Sequence, residues 1–373
     1  MSAAPPRHVL MTADAVGGVW QYALDLIGGL SSKGVRTTLV LLGPSPTDEQ
    51  RRSAAAIPGL ALLETGLPLD WLAEGESEVV EAGFTVGDIA RQVGADLVQL
   101  NSPALAAGDG MSVPVVAMQH SCVATWWAST KGGPLPPDFR WQAAMVGRGL
   151  RAAAAVVAPS HSFASDTALV HGLAQVPQVV HNGRTWPADG GHDDETGDFV
   201  FTAGRLWDEA KNIRLLDRAA MRLDVPVVVA GPLQGPNGAA VACEHLRTLG
   251  SLSTEATREW LLHRPIYVSP ALYEPFGLAV LEAAQAGCAL VLSDIGTFRE
   301  IWGGAALFVP PNDEAALAEA NAALVRDPQR RRALEKAAQV RAKRYSTAAM
   351  VEGMLQVYRA LGSRPTVQAE GAA

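Results

Sequence analysis

The chain has 373 residues, 48% hydrophobic and 18% charged, so it can bury a large core and is neither disordered nor fibrous; at about 100–200 residues per domain it makes two globular units. The net charge of -8 speaks against a nucleic-acid partner, because duplex binding needs clustered Lys and Arg to neutralise phosphates. The longest apolar runs, Ala152 to Ala158 and Val225 to Ala230, fall well short of the ~20 residues that cross a bilayer, and Met1 to His8 has no apolar signal core, so no transmembrane span and a cytoplasmic location are expected.

In chain order, the first strand is predicted at His8 to Met11, followed by a loop and an amphipathic helix from Val19 to Leu30. Further strands are predicted at Thr37 to Leu42, Leu97 to Leu100, Val113 to Met118 and Ala155 to Val157. His181-Asn-Gly-Arg184 closes this half, and the polar, Gly-rich stretch from Ala188 to Asp198 suits a linker. A second series has strands at Phe199 to Ala203, Val225 to Ala230, Ile266 to Val268, Ala289 to Leu292 and Ala306 to Val309. Asp313 to Lys343 should form two helices interrupted at Asp327-Pro328, and Thr347 to Leu361 a last helix before a frayed tail. Strands alternating with helices imply an α/β chain with parallel sheets. The expected domains are 1–184 and 185–345, with a terminal helix at 346–361 and a tail at 362–373. Cys122, Cys243 and Cys288 are odd in number and lack Cys-x-x-Cys spacing, so they read as buried reduced thiols.

Chemistry-bearing residues cluster after strands. Gly17 and Gly18 stand where a helix begins, so bare backbone N–H groups and the helix dipole can meet an anion, although a plain tight turn has the same sequence. Gly204-Arg205 to Lys211 sends two cations from the C-terminal edge of a sheet, where they can neutralise a pyrophosphate or merely pair with Asp208 and Glu209. In Glu274-Pro275-Phe276-Gly277-Leu278 to Glu282, Glu274 precedes a predicted helix from Gly277 to Ala286 and Glu282 lies about two turns along it. The two carboxylates are therefore placed to touch different parts of an extended ligand as acceptors for hydroxyls.

With these motifs in this order, and with Ser293-Asp-Ile-Gly296 to Glu300-Ile301 after them, the sequence resembles the retaining, nucleotide-sugar-dependent glycosyltransferases of family 4 over nearly its whole length, from about His8 to Leu361. The resemblance implies the GT-B architecture, two Rossmann-like domains facing each other across a donor and acceptor cleft. It implies that Gly17, Gly18 and Gly204 lie at the donor, with Arg205 and Lys211 on its diphosphate, Glu282 on the ribose and Glu274 on a sugar hydroxyl. Backbone from Pro275 through Phe276 and Gly277 to Leu278 would hold the remaining hydroxyls, and Leu249-Gly250-Ser251-Leu252 would lie against the base. His120 matches a histidine that contacts the donor sugar, Glu300 a position near the donor with no role assigned, and the last helix is implied to pack back on the first domain. Lys211 stands one residue further from Arg205 than in many members.

The activity that the resemblance implies is transfer of a sugar from a UDP-sugar, with a GDP-sugar as second choice, to a hydroxyl, by front-face attack and with retention. No cofactor is expected, and no metal, since no Asp-x-Asp follows a strand. Trp20, Tyr22, Trp126 and Trp127 are the candidate acceptor contacts, because aromatic faces suit sugar rings and flat apolar groups, with core packing as the other reading. The basic residues Arg330 to Arg332, Lys336, Arg341, Lys343 and Arg344 form a solvated helix face, or else a contact with anionic lipid at a membrane surface. A sugar phosphorylase, a nucleotide-sugar epimerase and a non-catalytic sugar-nucleotide-binding module are the alternatives on the same fold.

Overall fold

Strands that are apolar on both faces are satisfied only in a sheet covered by helices on each side. The structure, a computed structural model, describes residues 4–185 and 197–362 and shows two such sheets. The first contains β1 (His8–Asp14), β2 (Arg36–Leu42), β3 (Leu60–Glu64), β4 (Leu97–Leu100), β5 (Val115–Met118), β6 (Ala155–Ala158) and β7 (Gln178–Val179), in the order β3-β2-β1-β4-β5-β6-β7. The second contains β8 (Val200–Ala203), β9 (Val227–Ala230), β10 (Arg247–Thr248), β11 (Ile266–Ser269), β12 (Ala289–Ser293) and β13 (Leu307–Val309), in the order β10-β9-β8-β11-β12-β13. The strand pairs of both sheets are parallel.

The predicted strands are present, each within about two residues of its expected bounds at most ends. Those that the apolar pattern does not predict, β3, β7 and β10, are sheet edges. Edge strands lose one partner and much of their cover, so β3 is largely exposed and carries no long apolar run. The helix Glu76–Val93 also escapes the pattern, because its buried face is built of Ala, Gly and Val. Its Gly83 and Gly87 lie so close to the carbonyls of Leu105 and Gly110 that an added Cβ would stand only 2.3 and 2.1 Å away. Most of the predicted linker, and the tail beyond Gly362, lie outside the described residues.

The helices Glu314–Arg326 and Pro328–Ala342 break where expected, with Asp327 capping the second through Arg330 N–H. The basic stretch is not a uniform surface. Arg331 is buried and donates to the carbonyls of Gly197 and Arg264, and Arg341 donates to the carbonyls of Ile301 and Gly303, while the flanking Arg330, Arg332 and Lys336 are not buried. Among the cysteines only Cys288 is fully buried; Cys122 and Cys243 are half-buried, and all three are free.

The last helix, Thr347–Gly362, lies on the helix Gly18–Ser31 of the first sheet rather than on the second domain that precedes it. Met350, Val351, Met354, Leu355 and Tyr358 enter the first core, and the Tyr358 hydroxyl donates to Gln99. Met354 is fully buried, so Met354→Ala should leave a cavity costing about 2–5 kcal/mol, read as a lower urea midpoint with an unchanged slope. A midpoint shift worth less than about 1 kcal/mol would show that this helix is only loosely docked.

Candidate active site

Both sheets reverse their strand order beside the first strand of the domain, at β1/β4 and at β8/β11. Ligands of open parallel sheets bind outside the C-terminal strand ends at such points. Here the two sets of strand ends border one cavity of about 350 Å³. Asp14 and Gly17 lie at the end of β1, His120 follows β5, Gly204 and Arg205 follow β8, and Glu274 follows β11, and all of them line this cavity.

Two helices begin at the cavity without a side-chain cap or an acidic residue in the first turn: Gly18–Ser31 behind Gly17, and Leu278–Ala286 behind Gly277. Their first N–H groups are therefore free to bind an anion, with the dipole adding to the attraction. Gly277 has φ of 92°, a conformation that side-chain-bearing residues rarely adopt, and this turn carries Glu274, Pro275, Phe276 and Leu278 into the cavity wall. A Cβ on Gly17 would stand 3.6 Å from Arg205 Nη1, and one on Gly18 would stand 3.5 Å from Leu278 Cδ1. The glycines thus keep open a gap that a side chain would fill from the facing domain.

The cations do not sit free in solvent. Arg205 donates through Nη2 to Asp208 at 3.1 Å and lies over the Trp207 ring, 5.7 Å from its centre. Lys211 pairs with Glu274, Nζ to Oε2 at 2.5 Å, and not with Glu209, whose carboxylate takes Lys131 of the first domain. Lys211 precedes Asn212, which turns with φ of 54° and anchors the turn by donating to the carbonyls of Pro270 and Pro311.

Glu282 is not a surface residue: its side chain is only 18% exposed and meets Arg184 Nη1 at 2.9 Å. The same guanidinium reaches Asp25 of the first domain at 3.8 Å. Burial holds both carboxyls above their usual range, while Arg184 acts in the opposite direction on each. Arg184 lines the cavity too, and it is not among the residues that the motifs single out; its one hint in the sequence is the cation that closes His181-Asn-Gly-Arg184.

His120 Nε2 bonds Asn101 Oδ1 at 3.1 Å, and its ring meets Tyr22 edge-on at 4.5 Å. Burial pushes its pKa down to about 3, so the imidazole is neutral near pH 7. Asp14, which no motif marks either, accepts from Val16 N–H at 2.8 Å, and burial raises its carboxyl.

Other expected residues lie elsewhere. Trp20 and Tyr22 are buried in the first core, Tyr22 bonded to Gln99, so neither is an acceptor contact; both fall on the inward face of an amphipathic helix. Trp126 and Trp127 do border open space, in a neighbouring cavity. Gly250, Ser251 and Leu252 do not line this cavity; the Gly250 carbonyl accepts from Gly231 N–H at the second sheet's edge. Glu300 lies outside it as well, accepting from His161 and Ser162 N–H at 2.9 and 2.7 Å and from His181 at 3.2 Å. These three side chains, His161, His181 and Glu300, are the one group among the described residues with metal-ligand spacing, and the carboxylate is already spent on the first N–H groups of the helix His161–His171.

The family description "Glycosyltransferase Family 4" matches residues 16–184, and "Glycosyl transferases group 1" matches residues 188–341. The chain is 30% identical over 287 residues to alpha-maltose-1-phosphate synthase of Mycolicibacterium smegmatis, spanning 66% of this chain and 73% of that one. It belongs to the family 4 glycosyltransferases. The phosphatidyl-myo-inositol mannosyltransferase of the same organism is 32% identical over 133 residues, 35% of this chain and 34% of its own. Among solved structures, sucrose-phosphate synthase from Thermosynechococcus elongatus superposes with a TM-score of 0.74 at 17% identity, covering 96% of this chain and 99% of that one. Anabaena HepE in complex with UDP-glucose superposes with a TM-score of 0.70 at 18% identity, covering 96% and 100%. At these identities the two structures establish the GT-B fold of this glycosyltransferase. Among its described residues no helix is long and apolar enough to cross a membrane.

The buried imidazole has a measurable consequence for the glycosyltransferase. Folded His120 stays neutral down to about 3, while the unfolded chain protonates near 6.5, so stability is lost as pH falls through that window. His120→Gln should reduce the loss between pH 7 and pH 5 by about 1–2 kcal/mol in urea unfolding at both pH values. An unchanged difference would mean that His120 is not held neutral.

Proposed function

We propose that this glycosyltransferase moves a sugar from a nucleoside diphosphate sugar, UDP in preference to GDP, to a hydroxyl acceptor with retention and without a metal ion. The observation that carries the reading is the convergence of two uncapped helix N-termini with Arg205 and Lys211 on one cavity. That set of donors matches a diphosphate and the charge it gains on leaving. Anabaena HepE, a protein of like fold solved in complex with UDP-glucose, supports the choice of uridine.

In this reading Arg205 and Lys211 take the role a divalent cation has in other transferases. Glu282, steadied by Arg184, accepts from the ribose hydroxyls, and Glu274 accepts from a donor-sugar hydroxyl with its other face toward Lys211. Neutral His120 offers one ring nitrogen to the sugar while Asn101 holds the other. The bond between the anomeric carbon and the phosphate oxygen breaks, and the acceptor oxygen bonds to that carbon from the same face. Its proton passes to the departing phosphate oxygen. The tight pairing of Glu274 with Lys211 favours this course over one in which Glu274 attacks as a nucleophile.

Arg205→Ala should lower turnover by about 100-fold, the scale for losing a preorganised charge donor. Glu274→Ala should cut transfer while leaving UDP affinity within about threefold, and Glu282→Ala should weaken UDP by about tenfold or more. Calorimetry with UDP, GDP and ADP, with and without magnesium, checks the donor side, and hydrolysis or transfer of the matching sugar conjugate checks turnover. Metal-dependent binding, or equal losses from the two glutamate variants, would overturn the assigned roles.

A further inference from the structure

A second cavity of about 850 Å³ adjoins the donor cavity and shares with it Trp71, Ser121, Arg205, Leu206, Asp208 and Ile213. Its size suits a drug-sized molecule. Five aromatic side chains stand in its wall, Trp71, Trp126, Trp127 and Phe139 from the first domain and Trp207 from the second, among charged and polar groups. Trp127 lies 6.0 Å from Phe139 and 6.3 Å from Trp126, ring centre to ring centre. Trp126 is fixed across the domain boundary by donating from Nε1 to Asp208 at 3.0 Å. Val123, Val241 and Leu272 add further apolar wall.

The charges here are largely spent on each other. Lys131 is bound to both oxygens of Glu209 at 2.6 Å, Arg218 pairs with Glu314 at 2.7 Å, and Arg205 pairs with Asp208. Only Arg214, exposed at the lining, has no acidic partner among the ion pairs of the described residues. A phosphorylated acceptor would find one unpaired cation, Arg214, at the exposed rim, and would have to displace carboxylates from the others, with Asp70 a further carboxyl in the same wall. A neutral, flat molecule meets no such cost and gains contact with aromatic faces.

We infer that the acceptor of this enzyme is a neutral, flat, mainly apolar alcohol of the aryl or polycyclic class, bound between these aromatic side chains. Its hydroxyl lies at the Trp71 and Ser121 edge, where the second cavity meets the donor. The inference deepens the transferase reading and rests on it for the hydroxyl's role; the binding of the apolar body stands on the second cavity alone. The acceptor O–H bond and the bond between the anomeric carbon and the phosphate oxygen break, the acceptor oxygen bonds to the anomeric carbon, and the proton leaves on the diphosphate.

The test titrates the full chain with 2-naphthol, maltose and glucose 1-phosphate by calorimetry, each with and without UDP. Saturable binding of 2-naphthol, at least about tenfold tighter than either sugar, is expected, the scale of one well-made aromatic contact. Phe139→Ala removes a ring from the wall, and Ala240→Trp fills the cavity from an exposed position of the second domain; each should weaken 2-naphthol by about tenfold and leave UDP affinity within about twofold. Absence of 2-naphthol binding, tighter binding of maltose or glucose 1-phosphate, or full 2-naphthol affinity in both variants would overturn the inference. Failure of UDP to bind would sink the donor reading instead, and the 2-naphthol titration would still decide the character of the second cavity.

Discussion

One guanidinium stands between two largely buried carboxylates where the domains meet, Arg184 between Asp25 and Glu282. Removing a cation from such a place leaves buried negative charge uncompensated, a cost of about 3–5 kcal/mol. The contact joins a helix of the first sheet, the connecting segment and a helix of the second, and so brings the two sets of strand ends face to face. The donor cavity exists because of that approach: Gly17 and Gly18 become part of a site only when Arg205 and Leu278 arrive opposite them.

Around this contact the domain boundary is stitched by groups from the same two edges. Thr125 meets the Tyr273 hydroxyl at 2.8 Å, Ser160 donates to the Pro275 carbonyl at 2.8 Å, and Glu300 accepts from the first N–H groups of the helix His161–His171. Pro275 and Tyr273 flank Glu274, so closure of the domains and placement of that carboxylate are coupled. Interfaces of this polar kind are stable enough to define a site yet weak enough to open.

Site chemistry follows from what the helices omit. Some helix starts away from the donor cavity are capped, by Thr47, Ser253, Asp313 and Asp327, and others, behind Gly75, Pro136 and Ile295, are not; those behind Gly17 and Gly277 have no side-chain cap and also border the cavity. A glycine N-cap costs only about a few tenths of a kcal/mol against a side-chain cap and leaves N–H groups for a ligand. Both glycine-led starts border the same cavity as Arg205 and Lys211, and that coincidence is what distinguishes the site from an ordinary interdomain crevice.

Much was legible in the chain itself. Buried parallel strands need long apolar runs, so the central strands and the break at Asp327-Pro328 could be read directly; Glu274, Glu282, Arg205 and Lys211 stand out by their place after those strands, while His120 is singled out by the family resemblance. Edge strands β3, β7 and β10 could not, because they are short or exposed and need no such run. Nor could the difference between Trp20 and Trp127: both are tryptophans near a site motif, and only the packing of one helix face against the first core buries Trp20 while Trp127 faces open space. Arg184 carries only the hint of closing His181-Asn-Gly-Arg184, with nothing local to give it a role. Its role arises from Asp25 and Glu282, far apart in sequence, being brought to one point. Local periodicity and strand-end motifs are properties of a segment and belong to the sequence; pairings across the domain boundary are properties of distance, and only the tertiary structure decides them.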